Sequence, residues 1–264
     1  MFNKYLEIAK INTINSASFI VALLSKSGIV FLRIWVYTQL YTATFLYGDP
    51  RITAGTTVSA TIWLLMLVQS FQSATRPEVC FVIEEEVQTG TLTYSINRPY
   101  YYPLFHYFGY LGRLLPNLIV NIVIGCLTCL VLVHRIPLRW EGLAFGSILL
   151  FLGLTVDFLI FFLIGISAFW VEDIKPFRWI YSKAKIVLGG MIFPLSLFPE
   201  ALRKFAEMTP FALTFYAPAQ MTTQFEMATF QHFLTFQLCW IAILSVAVYY
   251  IFNKAIRVVT VNGG

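Results

Sequence analysis

The sequence predicts an all-α membrane protein with six transmembrane helices, and its composition and the spacing of its apolar segments are the observations behind that prediction. Hydrophobic residues make up 58% of the 264 residues and charged residues 12%. The mean hydropathy is +0.74, whereas about a quarter of the residues in a soluble domain are charged. The basic residues are scattered and form no stripe, so we expect no nucleic-acid partner.

The apolar segments divide the chain into elements in a definite order. Residues 1–18 predict an amphipathic helix at the membrane interface. Six predicted spans of about 20 residues follow, at 26–47, 52–71, 114–133, 143–169, 179–198 and 233–252. The fifth contains Gly189-Gly190 and Pro194, which predicts a broken or re-entrant external segment over residues 189–210, with an amphipathic helix at 200–208. We expect one transmembrane domain over residues 1–264.

Lysine and arginine predict the orientation of these spans. With the amino terminus in the cytosol, most of the basic residues fall on the cytosolic side, including Lys175, Arg178, Lys183 and Lys185 in the loop after the fourth span. Both termini are therefore expected to be cytosolic.

A charged insert, Arg76 to Pro99, separates the second and third predicted spans; we call it the coupling segment. On helical geometry four of its apolar residues share one face, and its three consecutive glutamates lie off that face. Gly90 is expected to end the helix in a left-handed turn. The residues concerned are Val79, Val82, Ile83, Val87, Glu84, Glu85 and Glu86.

The chain carries no motif for nucleotide hydrolysis, metal binding or covalent catalysis. No G-x-x-x-x-G-K-[ST] loop is present, so any ATP that drives this protein is hydrolysed by another chain. The cysteines lack zinc-site spacing. We therefore expect a protein that is not itself an enzyme, with no metal and no cofactor of its own.

Two groups of residues carry a resemblance to a known family. The first is Glu86 with Gly90-Thr91-Leu92, Tyr94 and Arg98-Pro99; the second is Phe169 to Ile174, Pro176-Phe177, Trp179 to Tyr181, Lys183, Gly189-Gly190, Pro194-Leu195 and Phe198 to Glu200. In this order they resemble the permease subunits of type-2 ABC exporters.

The resemblance implies a permease that pairs with an identical or related permease and with two cytosolic ATPase subunits, in a bacterial inner membrane. ATP and Mg²⁺ would bind to those ATPase subunits, and membrane lipids would surround the permease. The aromatic content of the chain, 17%, predicts an amphiphilic or lipid-like substrate. The implied ATPase-coupling residues are Val79, Val82, Ile83, Glu84, Glu85, Glu86, Gly90, Thr91 and Arg98. An ion-coupled secondary transporter or channel subunit is the alternative.

Polar and helix-breaking residues within the spans supply the other candidates. Asp157 lies in the fourth predicted span, where a carboxylate costs a few kcal/mol; it would contact a cationic substrate, pair with Arg33 or Arg113, or stay protonated. Arg33 itself is expected to extend to the cytosolic interface. The resemblance implies an external gate at the broken segment, with candidates Pro194, Pro199 and Phe205.

Overall fold

The computed structural model describes residues 3–47, 57–75, 77–171 and 173–262, and within these ranges the regular structure is helical. Residues outside the described ranges include the connection 48–51 between the first two predicted spans, the start of the second span, Arg76 and Glu172. The α-helices are α1 (Asn3–Ala17), α2 (Ile20–Tyr47), α3 (Val58–Ala74), α4 (Glu78–Gln88), α5 (Leu92–Ile96), α6 (Tyr102–Val133), α7 (Trp140–Ile166), α8 (Lys175–Leu188), α9 (Glu200–Met208), α10 (Pro210–Thr223) and α11 (Met227–Asn262). Short 3₁₀ turns occupy Ser167–Phe169 and Leu195–Leu197.

Four candidate membrane spans occur in the described ranges, at Gly28–Tyr47, Tyr102–Val133, Trp140–Phe169 and Met227–Arg257. The expectation of six spans is not confirmed, because α3 has 17 residues and α8 has 14. Both helices are shorter than the ~20 residues that a bilayer requires. Nearly every residue of α3 is buried inside the protein, which explains a short helix that has little need of a lipid-facing surface.

The amino-terminal helix α1 packs on the first third of α6. The Tyr101 backbone N–H donates to the Tyr5 hydroxyl at 2.9 Å, and the Thr13 hydroxyl donates to the Gly112 carbonyl at 3.1 Å. At 1.5 Å per residue the 32 residues of α6 extend about 48 Å, well beyond the ~30 Å hydrocarbon core. A helix is thus present at Asn3–Ala17, within the predicted range 1–18. It contacts the part of α6 that precedes the predicted third span at 114–133.

Helix α10 was not predicted, although it lies at the centre of the protein. It packs against α3, α7, α9 and α11, and every residue from 212 to 219 is buried. Pro210 begins the helix, where the missing N–H costs nothing. With 14 residues and Pro218 inside, the segment is too short to be predicted as a span. It is instead an interior helix whose neighbours supply the lipid-facing surface.

Glycines on α7 allow α10 to approach closely. A Cβ added at Gly142 would lie 2.7 Å from the Met221 carbonyl oxygen. One added at Gly146 would lie 2.3 Å from the Thr222 hydroxyl. One added at Gly153 would lie 2.4 Å from the Thr214 carbonyl oxygen. Small residues at helix contacts are a general means of close packing in membrane proteins.

We expect Gly153→Ala to lower the free energy of unfolding by about 1–3 kcal/mol, the usual cost of overpacking, because the new methyl group would meet α10 backbone that cannot rotate away. Gly28→Ala is the matched control, since a Cβ there would meet nothing within 4 Å and alanine favours the helix. Thermal unfolding in detergent measures both. Equal stability of the two variants would contradict this account of the α7–α10 contact.

Candidate functional site

The apolar face of α4, the helix of the coupling segment, packs against α7 of the same chain. Val79 and Ile83 are 1% and 0% exposed. A Cβ added at Gly165 of α7 would lie 3.0 Å from the Cys80 Cα and 3.0 Å from the Ile83 Cβ. The structure thus corrects one part of the sequence-based expectation: this face is covered by α7, so Val79 and Ile83 position the helix and do not offer a surface to an ATPase.

Polar contacts attach the same helix to α6 and to the start of α8. The Ile174 backbone N–H donates to Glu84 Oε1 at 3.2 Å, and the Arg178 guanidinium lies 4.4 Å from the centre of the Phe81 ring. At the other end of α4, Glu78 Oε2 lies 3.8 Å from Arg113 Nε of α6. Helix α4 is therefore joined to three longer helices, and a force on it would act on all of them.

Glu86 organises the part of the coupling segment that follows α4. It accepts hydrogen bonds from the Ser95 hydroxyl at 3.0 Å and from the Tyr102 hydroxyl at 2.5 Å. These bonds connect α4 with α5 and with the first turn of α6.

The thiol of Cys80 is buried on α4. Burial raises the pKa of this thiol to about 12, and the Arg178 guanidinium partly offsets that rise. The thiol is thus a neutral packing group.

The exposed surface of the coupling segment lies at the junction of α4 and α5. Gly90 has φ +73°, as predicted, and reverses the chain after α4. Of the three consecutive glutamates, Glu85 is the exposed one, while Glu84 and Glu86 are half-buried; Val82 is also half-buried. We give the name coupling tip to seven of the exposed residues: Glu85, Gln88, Thr89, Gly90, Thr91, Tyr94 and Arg98.

Asp157 of α7 lies at the centre of a buried polar cluster that joins α7 to α6 and α8. It is 0% exposed, and its Oδ1 lies 2.7 Å from Lys185 Nζ. Two tyrosine hydroxyls also donate to the carboxylate, from Tyr181 at 2.7 Å and from Tyr110 at 3.3 Å. The aromatic rings of Phe161, Tyr181 and Phe215 lie within 4.6–5.1 Å of the Lys185 ammonium.

This cluster corrects two sequence-based expectations. The basic partner of Asp157 is Lys185, not Arg33 or Arg113. Lys185 is 3% exposed, so it does not belong with the loop residues that were counted as cytosolic. The sequence carried a signal for this arrangement: Tyr181, Lys185 and Leu188 follow i, i+4, i+7 spacing, which places the lysine on the apolar face of α8.

The carbonyl groups of the broken segment are bound by side chains of α2 and α3. Gln69 Nε2 and the Tyr37 hydroxyl both donate to the Met191 carbonyl, at 2.8 Å and 3.2 Å. The Tyr41 hydroxyl donates to the Ile192 carbonyl at 2.7 Å. Backbone that leaves a helix in an apolar setting needs such partners. Sequence reasoning found the break but not these three side chains.

The gate candidates lie along the broken segment, on both sides of the 3₁₀ turn at Leu195–Leu197. Pro194 precedes that turn and Pro199 precedes α9, which confirms the predicted helix at 200–208. Phe205 of α9 is 59% exposed. A cavity of about 510 Å³ lies between α9, α10 and α11 and includes Glu207 in its lining. Burial raises the pKa of Glu207, and nearby Arg203 and His232 partly offset the rise.

Comparison with known proteins agrees with this helical plan. Residues 34–263 match the family described as ABC-2 family transporter protein. The chain belongs to this family. It is therefore a membrane permease component of an ABC transporter, of a family without a nucleotide-binding domain of its own that generally works with ATPase subunits. A search of curated protein sequences finds no match.

Proposed function

We propose that this ABC-2 permease is the membrane subunit of an ATP-driven exporter, pairs with a second permease, and moves an amphiphilic or lipid-like substrate across a bacterial inner membrane. Two cytosolic ATPase subunits would bind ATP and Mg²⁺ and dock at the coupling tip. The observation that supports this most directly is the seating of α4 on α7, with Glu84 attached to the start of α8. Both termini would be cytosolic.

The contacts supply a mechanical path from the coupling tip to the broken segment. Movement of α4 would carry α7 through the Gly165 contact and α8 through the Glu84–Ile174 hydrogen bond. The Asp157–Lys185 pair keeps α7 and α8 together. Met191 follows directly after α8 and is held by Gln69 of α3. Rigid elements joined in this way move as a group. The movement caused by nucleotide-driven closure of the ATPase subunits would therefore reach the proposed external gate at Pro194, Pro199 and Phe205.

The reconstituted complex tests the proposal. Vesicles that hold the permease together with its ATPase subunits should show ATP-dependent flux of an amphiphile, and vesicles that hold the permease alone should not. Flux that follows an imposed ion gradient without ATPase subunits would overturn the proposal in favour of an ion-coupled transporter.

We expect Glu85 and Glu86 of the coupling segment to behave differently when each is replaced. Glu85→Gln should slow association with the ATPase a few-fold and weaken its dependence on salt, as the loss of an exposed interface charge usually does. The free energy of unfolding of the Glu85→Gln variant should be unchanged. Glu86→Gln should instead lower the free energy of unfolding by about 1–3 kcal/mol, because two hydroxyl groups lose a charged acceptor. Binding kinetics and thermal unfolding separate the two effects, and equal association rates for Glu85→Gln and the parent protein would contradict the assignment of Glu85.

A further inference from the structure

Arg33 is a charged side chain on the outer surface of a candidate span. It lies within Gly28–Tyr47 and is exposed, whereas Val30 and Ile34 beside it are 0% and 1% exposed. Its side chain therefore reaches the surface of the protein. The sequence alone predicted that it extends to the cytosolic interface. Charged groups in spans face a water-filled route or a partner and mark functional sites.

The guanidinium of Arg33 uses one of its donors within the described part of the chain. Its Nη1 donates to Gln69 Oε1 at 2.8 Å, and among the described residues Gln69 is the only hydrogen-bond or ion-pair partner that it has. Arginine carries five N–H donors in a planar fork that matches carboxylate and phosphate oxygens. The remaining donors are thus free to bind an anionic group in the manner that arginine favours.

The surface around Arg33 suits the tail of an amphiphile. Ile29, Val36 and Leu40 follow at i−4, i+3 and i+7 from Arg33, so they share its side of α2. Their side chains are 53%, 49% and 45% exposed. Among the side chains of α2 that the structure describes, this face therefore presents Arg33 beside an exposed apolar stripe. Such a surface matches an anionic head group joined to a hydrocarbon tail.

Gln69 connects this surface to the broken segment. Its Oε1 accepts from Arg33 and its Nε2 donates to the Met191 carbonyl at 2.8 Å. Gln69 is 2% exposed, so the amide is fixed between the two groups. An anion that draws the guanidinium outward would alter the Gln69 hydrogen bond, and with it the support of the backbone at Met191.

We propose that Arg33 binds the anionic head group of an amphiphilic substrate, of the lipid-phosphate class, on the outer face of α2. This inference rests on the proposed function and adds the substrate class to it. A membrane lipid phosphate fits better than a free anion because the cation is set among exposed apolar side chains, and an acidic residue of a second permease is the competing occupant.

Binding to the purified permease in neutral detergent tests the proposal without ATPase or ATP. Phosphatidic acid, phosphatidylcholine of the same acyl composition and inorganic phosphate are the three probes, read by native mass spectrometry and fluorescence titration. Phosphatidic acid should bind most tightly, because it joins a net anionic phosphate to acyl chains. The phosphatidylcholine head group has no net charge, and inorganic phosphate has no acyl chain. Arg33→Gln should weaken its binding about tenfold, the effect of losing one charge-assisted pair. Arg33→Lys should recover part of the loss, since lysine keeps the charge but not the planar fork.

Lys254→Gln is the matched control, because Lys254 is an exposed cation near the end of another candidate span. It should leave phosphatidic acid binding unchanged. Equal binding by Arg33→Gln and the parent protein, equal loss in Lys254→Gln, or stronger binding of inorganic phosphate than of phosphatidic acid would each overturn the proposal. A loss of permease dimer in Arg33→Gln with lipid binding intact would assign Arg33 to the dimer contact instead. Failure of lipid binding with ATP-dependent flux intact would remove this inference and leave the proposed function in place.

Discussion

Lys185→Met is expected to lower the free energy of unfolding by about 3–5 kcal/mol, because it leaves the Asp157 carboxylate buried without its cation. The two groups lie 2.7 Å apart and are 4% and 0% exposed at the side chain. Thermal or denaturant unfolding of the purified permease in detergent measures the change. Transport should fall with it, since the pair holds α8 against α7.

Lys183→Met provides the matched control for this loss. Lys183 lies on the same helix but is exposed, so its removal should change stability by less than about 0.5 kcal/mol. The double variant Lys185→Met with Asp157→Leu should recover part of the stability, because replacing both members of a buried pair by apolar groups is far less costly than removing one. Recovery should be incomplete, since Tyr110 and Tyr181 lose their acceptor. If Lys185→Met is as stable as Lys183→Met, the cluster does not hold the two helices together.

Gly165→Val is expected to reduce ATP-dependent flux at least about tenfold while the permease still binds its ATPase. The added side chain would meet the Cys80 Cα and the Ile83 side chain at about 3.0 Å, and α4 must move to accommodate it. Overpacking of this kind costs about 1–3 kcal/mol, and 1.4 kcal/mol is a tenfold change in an equilibrium. The coupling tip is not altered, so docking should persist while transmission to α7 fails.

Flux and co-purification, measured on the same preparations, check the prediction for Gly165. Gly28→Val is the control, because a Cβ at Gly28 would meet nothing within 4 Å. Full flux in Gly165→Val would show that the α4–α7 contact does not carry the coupling movement. Loss of both flux and ATPase binding would place the defect in docking instead.

Gly90, which follows α4, and Gly165, which contacts α4 from α7, show what can be predicted from the sequence. Gly90 follows an amphipathic helix, and its left-handed turn was predictable because local backbone sterics alone decide such a position. Gly165 lies within a long apolar run and gives no local signal. Its role depends on the approach of Cys80 and Ile83, which are about eighty positions away in the chain. Sequence patterns over a few residues cannot predict a contact between residues so far apart in the chain.

The same distinction applies to the charged residues. The sequence indicated that Asp157 takes a partner or a proton, because a carboxylate within a span is costly. The spacing in α8 places Lys185 on its apolar face, but it does not identify Lys185 as the partner, since that choice depends on how α8 packs on α7. Helix α10 was missed for a related reason: its 14 residues are stabilised by neighbours on every side, and hydropathy measured along the chain does not record neighbours.

The sequence by itself determined that this chain is a helical membrane protein, placed the coupling segment between apolar segments and located the break after α8. These properties follow from composition, periodicity and helix-breaking residues, which act over a few turns of chain. Only the tertiary structure decided which glutamates of the coupling segment are exposed, which cation meets Asp157 and which side chains hold the Met191 and Ile192 carbonyls. Those outcomes depend on contacts between helices distant in sequence, because buried polar groups take whichever partner the packing brings within hydrogen-bond distance.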